Sequence, residues 1–340
     1  MLITFALAGN AQLGKQQLRQ LQQSEDTLKQ HSKAMVFADV ASIRFIADSS
    51  FIKTFVRALK TPNSFYYPFD SLETVSRMYA PDSSFRIFTW QFMKDESYFR
   101  QRGAIQMRTN DGSLKLIPLF DMSEFTKNPY DSVRTNTNWI GAIYYGMIMK
   151  TFNNKRYYTL LGYDDNNFTT TKKWLEVLTF DEQNNPRFGG RYFVFPADTI
   201  KPPPNSYRFC LEYKKDARAR LNYDPELDVI VFDHLVSEAK DPSRKATLIP
   251  DGDQEGFRWK DGKWIYVEKL FDFKLTDGKA PVEVPIKDNI TGKTNEDKLW
   301  EQSLKNMQRA KEEEEKKKKQ TTPTPKPPAK KQPPKNENEY

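Results

Sequence analysis

The stretch Phe257-Arg258-Trp259-Lys260-Asp261-Gly262-Lys263-Trp264-Ile265-Tyr266 decides the fold class. Asp-Gly between two runs rich in aromatic residues predicts a two-residue hairpin turn, whose two central positions need positive φ. The pairing that follows sets Lys260 opposite Lys263, Trp259 opposite Trp264, Arg258 opposite Ile265 and Phe257 opposite Tyr266. Trp259 and Trp264 then fall at a non-hydrogen-bonded pair, where side chains come closest and contribute about 0.2–1 kcal/mol. One face becomes an aromatic ladder, and Lys260 and Lys263 project into solvent.

The same arithmetic applied to Asp111-Gly112 sets Arg108 opposite Lys115 and gathers Ile105, Met107, Leu114 and Leu116 on one dry face. Runs rich in Tyr, Phe, Trp, Ile and Val at 85–91, 140–150, 156–162, 173–180, 192–195, 207–213 and 227–234 read as further strands, divided by Asn, Asp, Gly and Pro turns. Residues 63–292 are therefore expected to form a mainly β domain, an antiparallel β-meander. No clean period selects between a propeller-like array of about five blades and a large sandwich.

Before the meander, residues 12–62 read as an N-terminal helical segment. A Gln-rich stretch carries Leu13, Leu18, Leu21 and Leu28 as a sparse stripe that needs a partner. Asp48-Ser49-Ser50 then predicts an N-cap for a short amphipathic helix bearing Phe51, Ile52, Phe55, Val56 and Leu59, closed by Thr61-Pro62. After the meander, Thr294 and Asp297 resemble a capping box, and Glu312 to Glu315 each stand four residues before Lys316 to Lys319. This predicts a charged helix over 293–319, and the prolines from Pro323 to Pro334 predict a disordered Pro/Lys-rich tail over 320–340.

Composition narrows the chemistry. The chain has 340 residues with 6 Trp, 16 Tyr and 24 Phe, ample apolar mass for a core, but only 2 His and 1 Cys. That count excludes a disulfide framework and a Cys/His zinc site within the chain. The net charge is +8, and about half of the excess lies after Trp300, where base-stacking aromatics are lacking before Tyr340. Sequence-specific nucleic-acid binding is not expected; weak adhesion to anionic surfaces is. The longest uncharged stretch after the start, 135–149, is too short to span a membrane as a helix. Residues 2–8 are an apolar run followed by small residues up to Ala11, which resembles the end of a secretory signal and predicts removal of 1–11 and export to the periplasm or beyond, although no Lys or Arg precedes Lys15.

Three segments, FRIFTWQ at 85–91, YYTLLGYDDNN at 157–167 and KKWLEVLTFD at 172–181, resemble uncharacterised exported β-rich proteins of Gram-negative bacteria. The resemblance covers residues from about 50 to 272. Asp82-Ser83-Ser84-Phe85 also resembles the strand opening of some β-propeller repeats. What the resemblance implies is β architecture and an envelope location; it carries no catalytic residue.

Several residues invite chemical readings. Asp251, Asp253 and Glu255 before Gly256 imitate half of a calcium loop, but Gly262 stands where a bidentate Glu is required, so a turn is expected and no metal. Asp164, Asp165, Asn166 and Asn167 read as a strand-linking turn. His234 reads as a hydrogen-bonded strand-end residue, and Cys210 as a small buried one. Glu212, Asp228 and Asp233 offer carboxylates for glycoside chemistry, with no spacing to single out a pair. Neither a Gly-rich phosphate loop nor a nucleophile elbow occurs, and no cofactor is expected. The aromatic content is the unusual feature, since aromatic faces stack on sugar rings; Trp259, Trp264 and Tyr266 are the candidate ligand-binding residues. The leading expectation is a non-enzymatic scaffold or binding protein of the envelope, whose partner is an envelope polysaccharide or another envelope protein. The alternative is a glycan-binding or glycan-processing protein.

Overall fold

A computed structural model describes residues 13–95, 97–196 and 207–270. The signal-like residues 1–11, the charged helix expected over 293–319 and the tail over 320–340 lie outside them.

Two helices open the described chain, α1 (Lys15–Phe37) and α2 (Ala41–Leu59). Leu21, Leu28 and Met35 recur at helical spacing along α1 and are buried, while Leu18 is partly exposed. Arg44 of α2 donates to the carbonyls of Ala38 and Asp39, both at 2.8 Å, which satisfies acceptors left open at the end of α1. The expected cap at Asp48-Ser49-Ser50 is not one, because α2 starts seven residues earlier. Asp48 is buried in mid-helix and its carboxylate is engaged by tertiary partners, Trp90 Nε1 at 3.3 Å and Arg102 Nη2 at 2.8 Å.

The first sheet is a meander of β1 (Ser76–Tyr79), β2 (Phe85–Asp95), β3 (Tyr98–Met107) and β4 (Lys115–Phe120), in that order. The second contains β5 (Ile143–Phe152), β6 (Lys155–Asp164), β7 (Thr170–Phe180) and β10 (Phe209–Lys214), with β8 (Pro186–Phe188) on the end of β7. The third has the order β11 (Leu221–Asp224), β12 (Val229–Ser237), β13 (Leu248–Lys260), β14 (Lys263–Val267), β9 (Phe193–Val194). The protein is thus mainly β with antiparallel pairing. The exception is the pair of β14 with β9, which is parallel. Among the described residues no helix is long and apolar enough to cross a membrane.

Strand alternation explains how the sheets stack. Phe88, Trp90 and Phe92 of β2 face Phe51 and Phe55 of α2, while Phe85 and Ile87 face Tyr158, Leu160 and Leu178 of the second sheet. Leu161, Leu175 and Val177 point the other way, onto Phe232, Phe257 and Trp264 of the third sheet. Helices, first, second and third sheet are therefore successive layers. Since helices cover the outer face of the first sheet, the sheets do not close into a ring among the described residues, and they number three rather than five.

The β13–β14 hairpin has the expected register, with Trp259 opposite Trp264 and φ of 50° and 78° at Asp261 and Gly262. The β3–β4 register does not follow the Asp111-Gly112 arithmetic. Met107 pairs with Lys115, one residue out of the expected register. Asp111 Oδ1 instead accepts from Ser113 N and Oγ, and the Gly112 carbonyl accepts the Asn63 N–H at 2.9 Å, so the segment is a longer loop tied to the end of α2. The slip sends Leu114 and Leu116 to the helix side and leaves Met107 and Ile117 on the other. Asp251, Asp253 and Glu255 lie within the span of β13, where residues 251–253 bulge out of the ladder opposite His234 and turn locally, the Asp253 N–H donating to Asp251 Oδ1 at 3.1 Å beside Gly252 at φ 100°.

Candidate functional site

At one end of the second sheet the strands run past the apolar cores, and their residues become polar. The registers set Asp164 of β6 opposite Lys172 of β7, and Lys172 opposite Glu212 of β10. Two residues in, on the same face, Gly162, Trp174 and Cys210 form the next row. The connection from β4 to β5 crosses this face, and between them lies a cavity of about 310 Å³. The sheet contributes Asp164, Lys172, Trp174 and Glu212, and the connection contributes Ser123, Thr126 and Tyr130.

Asp164 is buried and its Oδ1 accepts from Gln101 Nε2 at 2.9 Å and from Asn166 N at 2.8 Å. Burial pushes its carboxyl up to about 7, against the opposing pull of the Asn166 N–H and the Lys172 ammonium. Lys172 Nζ donates to Asn166 Oδ1 at 2.8 Å, and Glu212 Oε1 accepts from Thr170 Oγ1 at 2.8 Å. Among the described residues only one oxygen of each carboxylate is engaged, which leaves Asp164 Oδ2 and Glu212 Oε2 for a ligand. Trp174 is buried and lines the cavity, and its Nε1 has no hydrogen-bond partner among the described residues. The Tyr130 ring lies 5.9 Å from it.

A second tier fixes this arrangement. Gln101 is held by Gln91 Oε1 at 2.8 Å, and its backbone N–H donates to Asp121 Oδ2 at 3.1 Å. The Tyr98 hydroxyl also donates to Asp121; burial and that carboxylate hold its pKa well above the usual range, so Tyr98 stays protonated. Gly141 donates to Asp121 Oδ1 at 3.3 Å, and a Cβ there would stand 2.1 Å from the Gln101 Cβ. Burial pushes the Cys210 thiol of the second row up to about 12, so it stays protonated. Among the described residues no group of three His, Cys, Asp or Glu side chains is arranged to hold a metal. The cavity instead pairs carboxylate acceptors with an aromatic wall, a combination suited to an uncharged ring bearing hydroxyl groups.

Of the residues singled out from sequence, only Glu212 of the three carboxylates lines this cavity. Asp228 pairs with Lys150 and Tyr223, and Asp233 accepts the Arg220 N–H at 2.7 Å. Trp259, Trp264 and Tyr266 come together between the second and third sheets. Trp264 is fully buried and donates to Thr159 Oγ1 at 2.8 Å, Trp259 lies 5.2 Å from it, and Tyr266 packs 5.3 Å from Phe195. None of the three lines the cavity. His234 Nδ1 sits 2.8 Å from Asp251 Oδ2; burial opposes its charge, but the Asp251 hydrogen bond and nearby acids raise its pKa. Asp164, Lys172 and Trp174 are not evident as a site in the sequence. The available signal was polar residues alternating at the ends of otherwise apolar strands.

No protein-family model, curated protein or solved structure matches the chain. The functional reading therefore stands on the geometry.

Proposed function

We propose that the protein is a non-enzymatic binding module of the cell envelope that holds one uncharged sugar unit of a glycan in the cavity beside Trp174. The observation that carries the reading is the aromatic wall formed by Trp174 and Tyr130 in the same cavity as two carboxylates that each have one oxygen unengaged among the described residues. The envelope location rests on the signal-like residues 1–11 and on the resemblance to exported β-rich proteins.

A neutral-glycan array followed by titration of the best probe, read by Trp fluorescence, tests the proposal. Saturable binding is expected, with Trp174→Phe weakening it about fivefold through loss of indole stacking area. Absence of binding across the array, or affinity unchanged in both Trp174→Phe and Glu212→Gln, overturns it. A second reading, glycan hydrolysis, draws on Asp164, whose carboxyl near 7 has the poise of a general acid. Release of reducing ends from the bound glycan, abolished in Asp164→Asn, would replace the binding reading with this one.

A further inference from the structure

The opposite face of the same sheet end carries a different recess. Tyr163, Lys173 and Leu211 form the row next to Asp164, Lys172 and Glu212, and alternation turns them toward the third sheet. There a recess of about 770 Å³ opens between the second sheet and the segment leading into β11. Its walls hold three tyrosines, Tyr145, Tyr163 and Tyr213, and four cations, Lys173, Lys215, Arg218 and Arg220.

The charge in this recess is unbalanced. Lys215 pairs with Asp165 at 2.8 Å, but Lys173, Arg218 and Arg220 form no ion pair among the described residues. Lys173 is half-buried, with its ammonium 5.7 Å from the centre of the Tyr145 ring. Burial depresses its pKa; the Asp233 carboxylate offsets part of this, and the neighbouring Arg220 adds a smaller push in the same direction as burial. A partly desolvated ammonium beside further cations is unfavourable unless an anion joins them. The lining also contains Asp233, whose Oδ2 is occupied by the Arg220 N–H. Its Oδ1 has no partner among the described residues and can accept from the hydroxyls of a sugar, which favours an anion that also carries hydroxyl groups. The open recess exceeds a single sugar unit and suits a segment of polymer, and tyrosine faces are stacking surfaces for its rings.

We propose that this recess binds a carboxylated polysaccharide, with uronate groups paired to Lys173, Arg218 and Arg220 and sugar faces resting on Tyr145 and Tyr163. The site is separate from the cavity beside Trp174 and does not depend on how that cavity is read.

Calorimetric titration of the full chain with an oligogalacturonate hexamer tests it, with maltohexaose as the uncharged control, inorganic phosphate as the simple anion and oligothymidylate as the nucleic-acid arm. The expected result is saturable binding of the hexagalacturonate that weakens as salt rises and is not displaced by maltohexaose or inorganic phosphate. Lys173→Gln with Arg220→Gln should weaken it by about tenfold or more, whereas Trp174→Phe leaves it unchanged. Should the Lys173 variant lose its fold by circular dichroism, the exposed pair Arg218→Gln with Arg220→Gln carries the same test. No hexagalacturonate binding at low salt, equal binding by the folded charge variants, or binding of oligothymidylate as tight as that of hexagalacturonate overturns the proposal; the last outcome would assign the recess to nucleic acid.

Discussion

Lys172 and Lys173 are neighbours in β7, yet they serve recesses on opposite faces of the second sheet. Lys172 stands between Asp164 and Glu212 and donates to Asn166 at 2.8 Å, while Lys173 stands beside Tyr163 with no ion pair among the described residues. The first donates to an acceptor beside it, and the second faces further cations with Asp233 as the nearby carboxylate. Strand alternation alone separates these two electrostatic environments within one sheet thickness.

Asp164 gives the clearest pH dependence. Its carboxyl is raised to about 7 in the folded chain from an ordinary 3.8. Between those values the folded state keeps a proton that the unfolded state has lost, so this group makes stability fall as pH rises through that window. Below it both states are protonated and the contribution is absent. Thermal unfolding from pH 4 to 8 should therefore show a decline that flattens in Asp164→Asn; an identical slope in the two proteins would refute the assignment.

Gly141→Ala should damage the cavity from behind. The new Cβ would lie 2.1 Å from the Gln101 Cβ and 2.9 Å from the Asp121 Cγ, and both side chains are fixed by hydrogen bonds. Overpacking of this kind costs about 1–3 kcal/mol. Urea unfolding should report a lower midpoint, together with weaker binding of the neutral glycan and unchanged binding of hexagalacturonate.

Arg208 and Glu176 form a buried ion pair at 3.2 Å beneath the second sheet, and Glu176 also accepts from the Tyr144 hydroxyl. Arg208→Met leaves a carboxylate uncompensated and should cost about 3–5 kcal/mol. Adding Glu176→Gln should recover part of that loss. A double-mutant cycle in urea measures the coupling, and strictly additive losses would show that the pair is not energetically linked.

Arg86 is a buried cation that pairs with no carboxylate among the described residues. Its guanidinium donates to the carbonyls of Ser64 at 2.7 Å and Tyr67 at 2.6 Å, to the Tyr79 hydroxyl at 2.8 Å and to Gln106 Oε1 at 2.9 Å. The Phe88 ring lies 4.6 Å away, and burial lowers the pKa to about 10. A lysine cannot span four such acceptors, so Arg86→Lys should destabilise by about 2 kcal/mol or more. A loss below 0.5 kcal/mol in denaturant titration would contradict this network.

The β fold was legible where turn chemistry and alternation agree, as at Asp261-Gly262. It was misread at Asp111-Gly112 because both faces of the first sheet are buried: Leu114 and Leu116 are apolar for the helices, Met107 and Ile117 for the second sheet. Two apolar faces remove the polarity contrast that fixes register in a one-sided sheet. Asp48 misled for a related reason, since its partners Trp90 and Arg102 lie more than forty residues away. The aromatic hairpin drew attention to Trp259, Trp264 and Tyr266, but aromatic content marks cores and binding surfaces alike. The cavity beside Trp174 depends on three strands and a long connection meeting; in the sequence Asp164 reads as part of a turn, and only Glu212 of these two carboxylates reads as available for glycoside chemistry.

The chain visits the third sheet at β9, returns to the second at β10, and only then builds β11 to β14. Because Phe193 and Val194 wait for Trp264 and Ile265 before they can pair, the second and third sheets are interlocked by topology. Cutting between Lys214 and Leu221 would strand β9 without its partner, so neither sheet is a transferable module. During synthesis, the edge of the third sheet remains open until its last strand emerges, and completion of that clasp is expected to be the slow step of assembly.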